Sequence, residues 1–358
     1  MNKIVIISFL MISVGISLLP HIVYALAKIA SWIVHFRVTY RPYGIATLCM
    51  LGIWLVMFLY GNVFARYFFE TKTVDIECKG LPKSFDGYRI VHISDLHLDG
   101  WDGHEEKMTE IVDSINALNA DLVCFTGDLI SLSSDELTPF IPILKNIKAK
   151  QGVVCIMGNH DYLPYRRDLT EKQRWAQVHA FQQILRNDLG WKMLLNEHIV
   201  LKESSDSVAV IGCENQSMGV HRVIQRGNLT KAMAGSEGMF PIILTHDPTH
   251  WRGEILKKLT YSQTPSPIRG STMLITSEFV ELGWGRGSDM GSLTLSGHTH
   301  SGQFRVFGLS AASFVYKEYD GLYTEGIHNL YVNIGLGGTM PFRFGATPEI
   351  TLLRLNSK

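Results

Sequence analysis

Five short clusters of polar residues constrain the fold of this chain more than any other feature of its sequence. Each cluster contains Asp, Asn or His and directly follows an apolar run that is typical of a buried strand. The clusters are residues 94–97, 127–128, 158–161, 245–247 and 297–300. In α/β sheets, ligands bind outside the carboxyl ends of the strands, so we expect these side chains to meet at one edge.

The apolar runs themselves predict the fold class. Eight of them are predicted as strands, at residues 88–93, 121–126, 152–157, 208–212, 240–245, 292–296, 330–334 and 349–355. Apolar residues at helical spacing predict helices over 105–118 and 171–189. Strands that alternate with helices, followed by a strand-rich second half, predict an α/β sandwich with two central β-sheets flanked by helices.

The side chains in the clusters are oxygen and imidazole donors. These donors suit Mn²⁺, Fe or Zn²⁺, and the five cysteines show no CxxC spacing that would favour a zinc-thiolate site. The candidate metal ligands are Asp95, His97, Asp128, Asn159, His246, His298 and His300, with His160 and Asp161 as candidate catalytic residues. So many donors fit two divalent ions better than one. Two ions about 3.5–4 Å apart can clamp a phosphoryl group and turn a shared water into a nucleophilic hydroxide.

The motifs carry a family resemblance. In order along the chain, SDLH, GDLI, GNHD, THDP and GHTHSGQ resemble the motifs of the calcineurin-like metallophosphoesterase superfamily. The resemblance covers about residues 75–358. The segments LPKSFDGYRIVHISDLH and LYVNIGLGGTMPFRFGATPEITLLRL resemble in particular a bacterial membrane-associated branch, which is similar to UDP-diacylglucosamine hydrolases. The resemblance therefore implies the calcineurin-like α/β sandwich.

The resemblance also implies two metal sites that share one carboxylate. One site takes Asp95, His97 and His300. The other takes Asn159, His246 and His298. Asp128 would bridge the two ions.

His160 has a different implied role within the GNHD motif. The resemblance implies that it faces the scissile phosphate, as a charge stabiliser or general acid, and that Asp161 orients its ring. Three further histidines stay outside the predicted site. His92 is expected to pack within a strand, and His104 and His250 only lie near the motifs in sequence.

Residues 259–290 depart from the family pattern. The stretch between the THDP and GHTH motifs is usually short in relatives with this C-terminal sequence, whereas here it contains SQTPSPIRGS and GWGRGSDMG. This insertion is predicted to be a surface loop or substrate flap, which could cover the metals or reshape substrate choice.

The N-terminal part of the chain is predicted to be a membrane anchor. Residues 4–27 and 44–65 carry no formal charge and are long enough to cross a bilayer. A cleaved signal peptide, or a break at Pro20 that gives three helices, are the alternatives. Basic residues are nearly balanced around these runs, so the side of the membrane stays open. Residues 1–70 are thus predicted as the anchor, 71–86 as a linker and 87–358 as the phosphoesterase domain.

Together these features predict a membrane-anchored, dinuclear phosphoesterase. It would hydrolyse a phosphodiester or pyrophosphate bond by a metal-bridging hydroxide, and the anchor favours a lipid-linked substrate. A non-catalytic metal-binding scaffold on the same fold is one alternative. A metal-dependent nuclease is another, but Lys plus Arg and Asp plus Glu both number 33, so no basic excess favours nucleic acid. Protein partners stay open.

Overall fold

Two long helices precede the sheets. The structure is a computed structural model, and it describes residues 3–219, 223–261 and 289–358. Helix α1 spans Lys3–Val34 and helix α2 spans Arg41–Val63. Both are long and apolar enough to cross a membrane by length and composition. Pro20 lies inside α1 and does not end it, so two helices rather than three precede the domain.

The two helices pack side by side in opposite directions. Phe9 near the start of α1 packs on Phe58 near the end of α2, with ring centroids 4.4 Å apart. At the other end, the Tyr40 hydroxyl lies 2.8 Å from Nε2 of His21. The pair is therefore an antiparallel hairpin.

The rest of the described chain alternates strands and helices before a strand-rich end. The strands are β1 Glu70–Cys78, β2 Tyr88–Ile93, β3 Leu122–Phe125, β4 Val153–Cys155, β5 Lys192–Met193, β6 Glu197–Glu203, β7 Asp206–Gly212, β8 Phe240–Leu244, β9 Ser292–Ser296, β10 Arg305–Val306, β11 Leu309–Ser310, β12 Gly321–Glu325, β13 His328–Val332 and β14 Glu349–Ser357. The helices are α3 Glu105–Ala117, α4 Ile141–Leu144, α5 Glu171–Gln183, α6 Leu229–Met233 and α7 Leu256–Tyr261.

The strands form two six-stranded sheets and one small hairpin. The first sheet has the order β1-β14-β2-β3-β4-β5, and the second has β12-β13-β9-β8-β7-β6. In the first sheet, β2, β3, β4 and β5 are parallel neighbours. In the second, β7, β8, β9 and β13 are parallel neighbours. Strands β10 and β11 pair only with each other.

Alternation of side chains along the strands builds three apolar layers. In β2, Ile90 points into the core between the sheets, whereas Val91 packs against the helices outside the first sheet. Val112 of α3 belongs to that outer layer. Ile243 of β8 packs with Trp251 outside the second sheet. The predicted α/β sandwich with two central sheets is confirmed.

Strand β1 changes the predicted start of the folded domain. Residues 71–86 were expected to form a linker, but Glu70–Cys78 pairs in parallel with β14 along its whole length. Only Ile76 and Cys78 of this strand are buried, so its sequence shows little of the apolar signal of a strand. Most of the insertion predicted at 259–290 lies outside the described residues.

Candidate metal centre

The predicted ligands come together because the parallel strands end at one edge. Asp95 and His97 follow β2, Asp128 follows β3 and Asn159 follows β4. From the second sheet, His246 follows β8, and His298 and His300 follow β9. The site therefore lies where the carboxyl ends of the central strands of both sheets meet.

The backbone of this edge is held in an uncommon conformation. Five site residues that are not glycine have positive φ angles, namely Asp95, His97, Asp128, His298 and His300. Non-glycine residues rarely adopt this region, and such strain clusters at functional sites. Two glycines leave room for the carboxylates. A Cβ on Gly297 would lie 2.2 Å from Oδ2 of Asp95, and one on Gly158 would lie 2.2 Å from Oδ1 of Asp128.

The first group of donors is Asp95, His97 and His300. Oδ1 of Asp95 lies 3.5 Å from Nε2 of His300 and 3.9 Å from Nε2 of His97. Oδ1 of Asp95 and Nε2 of His97 are both buried and have no hydrogen-bond partner. Buried polar atoms are nearly always satisfied, so these two atoms fit the coordination of a cation.

The second group of donors is centred on His246. Its Nε2 lies 3.1 Å from Oδ2 of Asp128, 3.1 Å from Oδ1 of Asn159 and 3.1 Å from Nδ1 of His298. The Thr126 carbonyl lies 2.8 Å from Nδ1 of His246 and so accepts the proton on that nitrogen, which leaves Nε2 free for a metal. This arrangement also fits a divalent ion.

Asp128 lies between the two groups. Its Oδ2 is 3.7 Å from Nε2 of His97 in the first group and 3.1 Å from Nε2 of His246 in the second. Its Oδ1 accepts a hydrogen bond from the backbone N–H of His160 at 2.7 Å. One carboxylate thus faces both sets of donors.

Burial and charge set the protonation of the rings. Burial lowers the pKa of His97 to about 3 and also holds the pKa of His300 well below its usual value, so both rings are neutral and able to coordinate. Burial would also lower the pKa of His246, but the carboxylates of Asp128 and Asp95 outweigh it and raise that pKa to about 10. A proton therefore competes with a metal ion at His246.

His160 and Asp161 differ from each other in what they contact. His160 is half-buried and lines a cavity of about 260 Å³ above the donors, and its Nδ1 lies 2.9 Å from the Ser131 carbonyl. Asp161 is buried, and its two oxygens accept from the backbone N–H groups of Asp128, Leu129, Ile130 and Gly158. The predicted role of Asp161 in orienting the His160 ring is therefore wrong. The Ser131 carbonyl contacts the His160 ring instead. Asp161 connects its own loop to the loop of residues 128–130 through hydrogen bonds.

Two residues that were not predicted also reach the donors. The Tyr316 hydroxyl lies 3.0 Å from Nε2 of His298, so Nδ1 is the nitrogen of His298 that faces the second group. The buried Arg343 donates to the carbonyls of Ala346 and Ile334, and its Nη2 lies 3.4 Å from Nδ1 of His300. Arg343 lies in the PFRFG segment, which is part of the C-terminal sequence that carries the family resemblance. That segment could have indicated a role for Arg343 in the site. No motif includes Tyr316.

The three other histidines stay outside the group, as expected. His92 is buried in β2 and lies 2.9 Å from the Thr126 hydroxyl. The ring of His104 packs on Tyr67. His250 lies between Thr245 and Glu254.

Comparison with known proteins identifies the class to which this fold and site belong. A family model described as calcineurin-like phosphoesterase matches residues 88–302. The chain belongs to the calcineurin-like phosphoesterase family, and the resemblance inferred from the motifs is confirmed.

Several relatives are similar over most of the chain. An uncharacterized metallophosphoesterase of Bacillus subtilis, YkuE, is 30% identical over 83% of this chain and 90% of its own length. A transmembrane protein with metallophosphoesterase domain of Danio rerio is 29% identical over 85% of this chain and 61% of its own length. The UDP-2,3-diacylglucosamine pyrophosphatase LpxG of Chlamydia trachomatis is 25% identical over 76% of this chain and 86% of its own length.

Proposed function

We propose that this chain is a membrane-anchored phosphoesterase that uses two divalent metal ions to hydrolyse a phosphodiester or pyrophosphate bond. The observation that carries the proposal is the position of Asp128 between two groups of buried donors. In this proposal Asp95, His97 and His300 would hold one ion. Asn159, His246 and His298 would hold the other, and Asp128 would be shared by both.

The ions, Mn²⁺, Fe or Zn²⁺, would polarise the phosphoryl oxygens and activate the attacking water. The side chains of the chain itself position the substrate and move protons. His160 lines the cavity beside the donors, and the Ser131 carbonyl accepts the proton on its Nδ1. In its imidazolium form the ring also carries a proton on Nε2, and this is the proton that passes to the leaving oxygen as the bond breaks, which leaves the ring neutral.

His160 also belongs to a third group of possible ligands, with His97 and Asp128. We assign it to the phosphate rather than to an ion for two reasons. Nδ1 donates its proton to the Ser131 carbonyl, so it is not available to an ion. The ring is half-buried at the cavity surface and is tilted by 43° against the Tyr165 ring, with centroids 4.6 Å apart. Both features suit a residue that meets substrate.

The two apolar helices support a membrane anchor, and the anchor supports a lipid-linked substrate. The candidate spans are Ile6–Val34, 29 residues within α1, and Arg41–Tyr67, 27 residues that cover α2 and the four residues after it. LpxG of Chlamydia trachomatis is described as a pyrophosphatase of a diacylated glucosamine nucleotide, which favours a pyrophosphate bond on a lipid. This relative supports a class of substrate, a pyrophosphate bond linked to a lipid.

Metal content and turnover test the proposal. Full-length protein purified in detergent should hold close to two transition-metal ions per chain by elemental analysis. It should hydrolyse bis-p-nitrophenyl phosphate with Mn²⁺, and a panel of lipid pyrophosphates then identifies the substrate class. Asp128→Asn should lower the occupancy of both ions together. Asp168→Asn, an exposed carboxylate paired with Arg166, is the matched control and should change neither. One tightly bound ion that survives Asp128→Asn would contradict the bridging assignment.

A further inference from the structure

Several exposed apolar side chains belong to chain segments that also line the cavity, because Gln303 precedes them, Tyr316 follows them and Met340 is one of them. Phe307 and Leu309 belong to the β10–β11 hairpin, and Phe314 and Val315 follow it. Phe307 is 101% exposed and Phe314 is 88% exposed, so nothing in the described chain covers either ring. Met340, which lines the cavity, is 52% exposed. We call these five residues the apolar rim. An exposed apolar group of this kind marks an interaction site.

The chain segment that carries the rim is joined to α2 by aromatic contacts. Phe304, just before the hairpin, packs on Phe342 and Phe344 with centroids 6.4 and 6.0 Å apart. Phe342 in turn stacks on Phe58 of α2 at 6.3 Å, and Phe344 contacts Tyr60 at 6.2 Å. The hairpin that carries part of the rim is therefore linked to α2 through Phe304.

The contact with α2 reaches well inside the apolar helix. Phe342 packs on Trp54, which precedes the end of α2 at Val63 by nine residues, or about 14 Å at the rise of an α-helix. Near the end of the helix, the backbone N–H of Arg343 donates to the Gly61 carbonyl at 3.1 Å. A Cβ on Gly61 would lie 2.4 Å from the Phe342 ring, so glycine permits this close approach. If α2 crosses a bilayer, the segment around Phe342 lies beside it at the level of the hydrocarbon region.

One buried glutamine connects the cavity to this segment. Nε2 of Gln303 donates to the carbonyls of Met340 and Phe342 at 2.8 Å each, and Oε1 accepts from the Met340 N–H at 3.0 Å. Gln303, Thr339 and Met340 all line the cavity. The same loop thus forms a wall of the cavity and the contact with α2, so the position of the cavity relative to α2 is fixed.

We propose that the apolar rim inserts into the interfacial region of the lipid bilayer and brings the mouth of the cavity to the level of the lipid head groups. Phe and Leu side chains favour this boundary, and surface elements commonly bury them about 5–10 Å deep there. The link between the hairpin and the candidate membrane helix α2 favours lipid over a protein as the partner. The substrate is then a phosphate group of a lipid that stays in the membrane. This last step rests on the proposed phosphoesterase activity, whereas the insertion itself rests on the anchor.

The depth of the rim can be measured without reference to activity. Full-length protein carrying Cys49→Ala, which removes the exposed cysteine, is placed in nanodiscs of phosphatidylcholine and phosphatidylglycerol. Nitroxide labels are attached through Phe307→Cys or Phe314→Cys. The control label is at Val200→Cys, an exposed apolar position on strand β6. Power-saturation electron paramagnetic resonance should show the rim labels relaxed several-fold more by oxygen than by a water-soluble nickel complex, and the control label the reverse.

Two outcomes would overturn the insertion. Rim labels as open to the nickel complex as the Val200 label would place the rim in water. Rim labels shielded from both reagents would show that a protein, such as a second copy of this chain, covers it.

A double variant tests the consequence for substrate. Phe307→Asp with Phe314→Asp should lower turnover of lipid pyrophosphates in nanodiscs at least tenfold and leave turnover of bis-p-nitrophenyl phosphate unchanged. Equal loss on both substrates would contradict the proposal, because it would indicate damage to the site. If wild-type protein does not turn over the soluble diester, the proposed function fails, whereas the depth measurement still decides the insertion.

Discussion

The cavity has two contrasting parts, a floor of candidate metal ligands and the apolar rim. Polar side chains are buried in the floor, whereas apolar side chains are exposed at the rim. The floor, formed by the seven candidate ligands, buries oxygen and imidazole donors, and two of its atoms have no partner. The rim instead leaves phenylalanine, leucine and methionine side chains in contact with water. The buried donors of the floor suit divalent cations, and the exposed apolar side chains of the rim suit an apolar surface.

The comparison also separates two kinds of experiment. A change in the floor should affect soluble and lipid-linked substrates alike, because both meet the same donors. A change in the rim should affect only substrates held in a bilayer. A soluble diester is therefore the common reference for the predictions that follow.

The largest effect is expected from His160→Ala. Loss of a general acid typically slows turnover by about 100 to 10,000-fold. The loss should be smallest for p-nitrophenyl esters, whose leaving group needs little protonation, and largest for alkyl or sugar esters. Steady-state rates across leaving groups of different pKa, with metal content measured in parallel, test this. A metal loss as severe as that of His246→Ala, or a rate loss that is equal across leaving groups, would make His160 a ligand or a positional residue.

Asp161→Ala should mainly lower the stability of the folded protein. The substitution leaves four buried backbone N–H groups without an acceptor, and each orphaned donor costs about 1–3 kcal/mol. We expect the melting temperature of the detergent-solubilised protein to fall by roughly 10 °C or more. Asp113→Ala, on the exposed face of α3, is the control. An unchanged melting temperature would contradict the role of Asp161 in joining the loops.

Metal affinity should depend on pH because His246, one of the ligands in the floor, must lose a proton to bind an ion. The pKa of His246 is raised to about 10 in the metal-free site, so its ring is protonated at neutral pH and must release that proton to bind an ion. Below that pKa, each fall of one pH unit should weaken the affinity for the metal ion by about tenfold, because His246 must release one proton. Calorimetric titration of Mn²⁺ in buffers of different ionisation enthalpy measures the proton released. Binding without proton release would contradict the raised pKa, and variants of the rim should not alter it.

The smallest effect is expected from Phe342→Ala. This substitution removes the ring between the cavity loop and α2 but leaves the bonds of Gln303 to that loop. Turnover of lipid substrates in nanodiscs should fall a few-fold, with the soluble diester unaffected. Leu48→Ala, an exposed position on α2, is the matched control. A loss on the soluble diester as well would show that the loop itself had moved.

The sequence predicted those site residues that follow one recurring pattern, a polar side chain just after a buried strand. Asp95, Asp128 and His246 each stand directly after a buried apolar strand, so their meeting at one sheet edge follows from strand order. Their roles as ligands stay predictions that metal analysis has to test. Strand β1 was missed because most of its residues are exposed and polar.

Contacts between distant loops were harder to predict. The role assigned to Asp161 was wrong because a carboxylate next to a histidine in sequence was assumed to face it, whereas the tight turn directs it to backbone N–H groups of another loop. Tyr316 reaches His298 from a loop with no regular pattern. The aromatic contact between Phe342 and α2 joins residues almost 300 positions apart, and apolar spacing carries no information about such a pairing.

The antiparallel packing of α1 and α2 has a consequence for topology. Phe9 at the start of α1 lies against Phe58 and Trp54, the same stretch of α2 that contacts the cavity loop. In the proposed membrane arrangement, an even number of crossings returns the polypeptide to the side from which it entered. A reporter fused ahead of Lys3 would then lie in the same compartment as the active site, and its fluorescence or enzymatic activity would reveal which leaflet supplies the substrate.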